Sequence, residues 1–274
     1  MKGLAMALGI VVGVPASAAA DERGTFVTLD RMATTGAVGL EASAFLYTPS
    51  FGGPGFALRE NLHARYVDAG GFGAYGQFAV SEAVGGDSSS DLAASNVELG
   101  GLYAVKLDGA DLLLRLGIGI PSAPTDRGAA GVNQVTAIGR WQDLVLIGPD
   151  TLWLRPGLVL RAGARELFAQ ADLGVDIPIK VGDRGSTLAF FHGNAGIGTA
   201  QGPVALTAEL ATVAYDGPRS PSADDRGITF YHSVGASIRY VGGGAQPYVS
   251  YVLPFRLGDP VLGHVVTAGI QAHL

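Results

Sequence analysis

Six arginines, Arg59, Arg65, Arg115, Arg155, Arg161 and Arg239, stand in stretches where apolar residues alternate with polar or very small ones, each on the side away from the apolar set. Extended chain turns successive side chains to opposite faces, so Arg59 with Arg65, Arg155 with Arg161, and Asp172 with Asp176 share a face. The same face takes His63, Lys106, Lys180 and Arg256, with Glu41, Glu98, Asp111 and Glu209 as further anions. Nine lysines and arginines then oppose six carboxylates, although the chain carries a net charge of −6. Arginine rings beside carboxylates favour anions and orient polar solutes in a water-filled pore. The opposing reading is that these charges pair and fill the interior, because an unpaired buried ion costs several kcal/mol. Its expected pairings are Arg155 diagonally between Asp172 and Asp176, Asn194 facing Glu209, and Glu41 near His63 and Arg65. Trp153, Tyr75, Tyr231 and Tyr248 share this face, either as a track for sugars or aromatic solutes or as space-filling rings.

Other chemistry finds weaker support. The histidines are His63, His192, His232, His264 and His273, and no nucleophile stands at a telling spacing from any of them. Outer-membrane phospholipases place a histidine and a serine two residues apart on one strand face, whereas Val234 holds that position after His232 and Ser233 points the other way. No catalytic residue is therefore assigned. His63 with Glu41 reads as a structural ion pair. Asp224 and Asp225, with Asp216, offer oxygen ligands for Ca²⁺, but adjacent carboxylates in a Pro/Ser/Gly-rich loop are ordinarily solvated. No metal site and no cofactor are expected; the absence of cysteine removes disulfides and thiolate sites, and no basic tract suits nucleic acid.

These side chains need long strands to hold them. Alternation runs through twelve segments, at about 36–48, 56–67, 71–83, 95–107, 110–121, 151–163, 166–180, 186–200, 203–216, 227–241, 244–257 and 261–274. A tilted strand crosses a bilayer in about 9 to 11 residues, against 5 or 6 in soluble sheets. Asp108-Gly109, Ala164-Arg165, Gln201-Gly202 and Gly242-Gly243 read as two-residue turns, and Asp68-Ala69-Gly70 as a three-residue turn with glycine at the left-handed position. Short and long connections alternate, as in bacterial barrels of even strand number. The longest, 121–150, contains Val135, Ile138, Trp141, Leu144 and Val145 at spacings of 3, 3, 3 and 1, so a short amphipathic helix is expected there. Reading it as a strand gives thirteen; adding Thr25 to Asp30 gives fourteen. Glu60, Glu82 and His232 fall on the apolar face, near the long-loop ends, where a charge costs about 0 to 1 kcal/mol. Tyr47, Phe51, Phe56, Phe72, Phe230, Tyr251 and Phe255 lie near strand ends, where a girdle belongs.

Lys2, the apolar run Leu4 to Val14 and Ala18-Ala19-Ala20 read as a cleavable export signal covering 1–20, followed by an N-terminal segment, 21–35, able to insert as a plug. The final strand sets Val266, Ala268, Ile270, Ala272 and Leu274 on one face; it resembles the terminal assembly signal of Gram-negative outer-membrane β-barrels, porin-like proteins as a class, with leucine where an aromatic usually stands. The resemblance spans 36–274 and implies an all-β antiparallel transmembrane barrel of about twelve strands (fourteen possible) with one long outer loop carrying a short helix. It implies the bacterial outer membrane as location, with lipid, the barrel-assembly machinery and small polar solutes as partners. The expected function is a porin-like passive channel for small polar or anionic solutes, with Arg59, Arg65, Arg115, Arg155, Arg161, Arg239, Asp172 and Asp176 setting selectivity. A closed barrel with a structural or adhesive role ranks second, and a membrane-embedded hydrolase third.

Overall fold

The alternating segments form strands of 11 to 15 residues that close into a barrel, seen in a computed structural model describing residues 26, 33–47, 55–84, 92–125, 127–137, 140–180, 189–218, 226–256 and 263–274. In chain order the elements are β1 (Ala37–Tyr47), β2 (Phe56–Val67), β3 (Phe72–Val84), β4 (Leu92–Ala94), β5 (Val97–Leu107), β6 (Ala110–Ile120), α1 (Arg127–Ala137) and a 3₁₀ helix (Trp141–Leu146). They continue as β7 (Thr151–Gly163), β8 (Phe168–Lys180), β9 (Phe190–Gln201), β10 (Val204–Pro218), β11 (Arg226–Tyr240), β12 (Ala245–Phe255) and β13 (Gly263–His273). All pairings are antiparallel, and β1 pairs with both β2 and β13 while β2 pairs with β3, so no edge is left open. The export signal, the Thr25 to Asp30 strand except Phe26, Asp224 and Asp225 lie outside the described residues.

Twelve walls stand as expected, and the thirteenth strand is not the 131–147 stretch. It is β4, which shares a wall with β5: β3 pairs with β4 through Val80–Glu82 and with β5 through Phe72–Gln77. Between them Ser95 and Asn96 are both buried, a break in alternation that the expected continuous strand 95–107 lacks. The Ser95 amide donates to Ala79 O (2.8 Å), and Ser95 Oγ accepts from the Ala79 amide (2.7 Å), so the break is sealed. The 131–147 stretch divides into α1 and the 3₁₀ helix, whose three-residue repeat matches the observed 3-spacing of Trp141 and Leu144.

Several turns are longer than expected. Residues 68–71 separate β2 from β3, and Gly71 (φ 85°), not Gly70, takes the left-handed position. The β7–β8 connection spans 164–167 and the β11–β12 connection 241–244. Asp108-Gly109 holds as a two-residue turn, with Gly109 at φ 72° and Lys106 opposite Asp111.

The outward face is apolar. Leu114, Leu116, Ile118, Leu158, Leu160, Leu173, Ile197, Leu206, Leu210 and Ile238 are exposed, with Tyr66, Phe72, Tyr103 and Tyr240 towards the short-turn rim and Phe191, Phe230 and Tyr251 towards the long-loop rim. An apolar band between aromatic girdles is the surface a bilayer covers. No helix among the described residues is long and apolar enough to cross a membrane.

Candidate functional site: the lumen and its in-folded loop

Every strand turns its polar set inwards, and the lumen is tightly filled. All eight residues expected to set selectivity are buried there: Arg59, Arg65, Arg115, Arg155, Arg161, Arg239, Asp172 and Asp176. Burying so many ions is tolerable only where each finds a partner.

Arg155, 1 % exposed, is the hub of one half of the lumen. Its Nη1 meets Glu98 Oε2 at 3.1 Å, its Nε meets Asp176 Oδ1 at 3.0 Å, and its Nη2 donates to Gln142 O at 2.5 Å. Glu98 also accepts from Tyr75 Oη (2.7 Å) and Gln77 Nε2 (2.5 Å). His192 continues the network, 3.6 Å from Asp176 and 3.8 Å from Asp172, with Arg115 Nη2 3.3 Å from its Nε2. Arg155 thus reaches Asp176 as expected but takes Glu98 as its second carboxylate. Asp172 instead accepts from Asn194, which lies across from it in register, while Glu209 faces Gly196 and not Asn194. The expected pairings fail where partner choice depends on the stagger between strands, which face alternation leaves free.

The opposite half carries a second network. Glu41 accepts from Tyr248 Oη (2.6 Å) and Asn61 Nδ2 (3.4 Å), and Arg239 stacks over the Tyr248 ring, 4.2 Å from its centroid. Hydroxyl pairs Ser43–Thr267 (2.7 Å) and Thr207–Ser237 (2.6 Å) line the wall nearby. Towards the short-turn end, Arg65 Nε donates to Thr35 O (2.8 Å), and Phe26 is fully buried edge-on against the inward Phe168. Phe26 and Thr35, from the 21–35 segment, therefore lie at that end of the lumen.

Glycines make room for the large inward groups. A Cβ at Gly117 would lie 2.6 Å from Glu98 Oε1 and intrude on the Tyr75 hydroxyl; one at Gly269 would lie 2.5 Å from the Tyr248 ring. Tyr75 and Tyr248 lie flat against wall positions with no side chain, which turns each hydroxyl towards its carboxylate.

The loop between β6 and β7 folds into the lumen. Gln142 and Asp143 are each 1 % exposed; Asp143 lies 3.2 Å from Arg59 Nη2 and 2.9 Å from Arg140 Nε. Asn96 holds the base of this loop: its Nδ2 donates to Val145 O (3.0 Å) and Gly148 O (2.8 Å), and its Oδ1 accepts from the amides of Ser122 (3.0 Å) and Ala123 (2.9 Å). One asparagine thereby ties together the start and the end of the loop. Asn96, Arg140, Gln142 and Asp143 are absent from the expected lumen set, whereas Glu98 and Tyr75 stand on the inward face as expected but not among the residues expected to set selectivity; no alternation signal marks Asn96.

Free space follows from this packing. Above the 3₁₀ helix, at the long-loop end, lies a cavity of about 750 Å³; near the short-turn rim are cavities of about 520 and 330 Å³. Between them, against Arg65, Arg140, Asp143 and Arg155, remains about 30 Å³. That space has room for about one or two waters and forms a waist between the wider spaces among the described residues. Among the described residues no cluster of histidines and carboxylates suits a metal ion.

No protein-family model and no curated protein matches the sequence. Solved structures with the same architecture include the COG4313 outer membrane channel from Pseudomonas putida F1, 10% identical, with TM-score 0.59 over 89% of this chain and 97% of that one. The KdgM porin is 11% identical, with TM-score 0.54 over 87% of this chain and 99% of that one. The fold is that of outer-membrane β-barrels. At such identities the likeness is one of architecture.

Proposed function

We propose that the protein is a passive outer-membrane channel, not an enzyme, for small polar or anionic solutes, with the in-folded loop as its constriction. The observation that carries this is the waist itself: two wide ends meet where Asp143 and Gln142 of the loop contact Arg59 and Arg155 of the wall. Arg65, Arg140 and Arg155 line that space with one loop carboxylate, Asp143, which favours anions. His192 stands among Asp172, Asp176 and Arg115, a setting that holds it as part of an ion network and offers it no nucleophile to activate. The channel folds of the COG4313 protein and the KdgM porin agree with this reading. A waist of this size passes larger solutes only when the loop shifts, so loop position governs conductance.

A closed barrel of structural role is the second reading, favoured by the fully paired Arg155. Planar-bilayer recording in asymmetric salt separates the two. Discrete steps with an anion-selective reversal potential, enlarged by Asn96→Ala, are expected of the channel; silence of both the native barrel and Asn96→Ala overturns it.

A further inference from the structure

The lumen aromatics are not spread evenly around the wall; five rings form one continuous arc at the wide, long-loop end. Trp141 lies 4.5 Å from Tyr231 between centroids, Tyr231 lies 6.1 Å from Tyr215 with planes only 6° apart, Tyr215 lies 5.4 Å from Phe190, and Phe190 lies 5.8 Å from Trp153. The arc joins β7, β9, β10 and β11 to the 3₁₀ helix, and it borders the cavity of about 750 Å³. Leu144, Val135 and Val213 complete much of its remaining wall.

We propose that this outer vestibule binds a compact, largely apolar solute bearing an aromatic ring. The proposal goes beyond the channel reading: it names a ligand held at the outer mouth, distinct from the polar or anionic solutes assigned to the waist. Ring faces and aliphatic side chains dominate the lining, and no charged residue is among the described residues that line it. A sugar would strip its hydroxyls of water against this wall with few partners in return, whereas an aromatic ring meets offset and edge-on neighbours at 4.5–7 Å, the spacing such pairs favour. The volume falls in the range of about 300–1,000 Å³ typical of small-molecule pockets.

The two tryptophans of the chain, Trp141 and Trp153, both border this cavity, so emission excited selectively at tryptophan reports on it. The barrel is placed in lipid nanodiscs, which keeps detergent out of the cavity, and titrated with nitrobenzene, with maltotriose as the polar control. Saturable quenching above the linear collisional background is expected with nitrobenzene and no change with maltotriose. Gly131 of α1 faces open space in the cavity wall, with nothing within 4 Å of an added Cβ. Gly131→Phe should therefore fill the site and raise the half-saturating concentration at least tenfold; Gly131→Ala should leave it within twofold. If Gly131→Phe does not fold, Phe190→Ala, which breaks the arc, takes its place with the same tenfold expectation. Purely linear quenching, an unchanged half-saturation in the filled or broken variant, or saturation by maltotriose overturns the proposal. Bilayer current recorded without nitrobenzene tests the channel separately. A silent barrel that binds nitrobenzene refutes the channel alone, and a conducting barrel that does not bind it refutes the vestibule site alone.

Discussion

The vestibule and the waist lie one above the other in the same lumen, yet they are built from opposite materials. The vestibule is rings and aliphatic side chains around open space; the waist is arginines and carboxylates around almost none. The 3₁₀ helix belongs to both. Its three-residue repeat turns Trp141 and Leu144 to the vestibule, while Gln142 and Asp143 reach the ions, and Val145 and Leu146 pack on Ala79 and Trp153. A single six-residue element therefore couples selection by shape to selection by charge.

The sharpest way to break this contrast is at the hub. Arg155→Leu leaves Glu98 and Asp176 buried without their shared cation, and the expected loss is about 3–5 kcal/mol, read as a lower urea midpoint for unfolding from lipid vesicles. An equal loss from Phe190→Ala would erase the distinction between a waist that holds the barrel together and a vestibule that does not. Next in size is Asn96→Ala, which removes four hydrogen bonds from the base of the loop; about 2–4 kcal/mol is expected, with larger single-channel conductance. Gly117→Val pushes Tyr75 off the wall and away from Glu98, at about 1–3 kcal/mol, measured by the same urea titration. Smallest is Gly131→Ala in α1, where nothing is displaced and the gain in helix propensity should stabilise by about 0.5–1 kcal/mol.

What the sequence made legible was parity. Alternation alone turns Arg59, Arg65, Arg115, Arg155, Arg161, Arg239, Asp172 and Asp176 inwards, because a strand surrounded by lipid must send its polar set to the lumen. Partnership was legible only in part: Arg155 with Asp176 and Lys106 opposite Asp111 follow from the sequence, but other partners do not. Arg155 meets Glu98 across β6, a neighbour fixed by the tilt and stagger of the closed sheet, and Asp143 meets Arg59 only because the loop descends into the lumen. The loop's 3-spacing was visible as amphipathic, but nothing in it announced that one face would serve rings and another ions. Asn96 is hidden for a different reason: it sits where the strand is interrupted between β4 and β5, a break that the alternation of residue types does not show.

The way the barrel closes also bears on how it forms. Every ladder joins strands adjacent along the chain, with β4 counted alongside β5, except the seam where Ala37 meets His273 and Tyr47 meets Gly263. Hairpins can be laid down one after another with little entropy lost per step, whereas the seam ties a loop of more than two hundred residues, at a cost on the order of 5 kcal/mol for a flexible chain. The twelve-walled sheet can therefore accumulate as an open, curling array, and its completion is a single late event that depends on the last strand reaching the first.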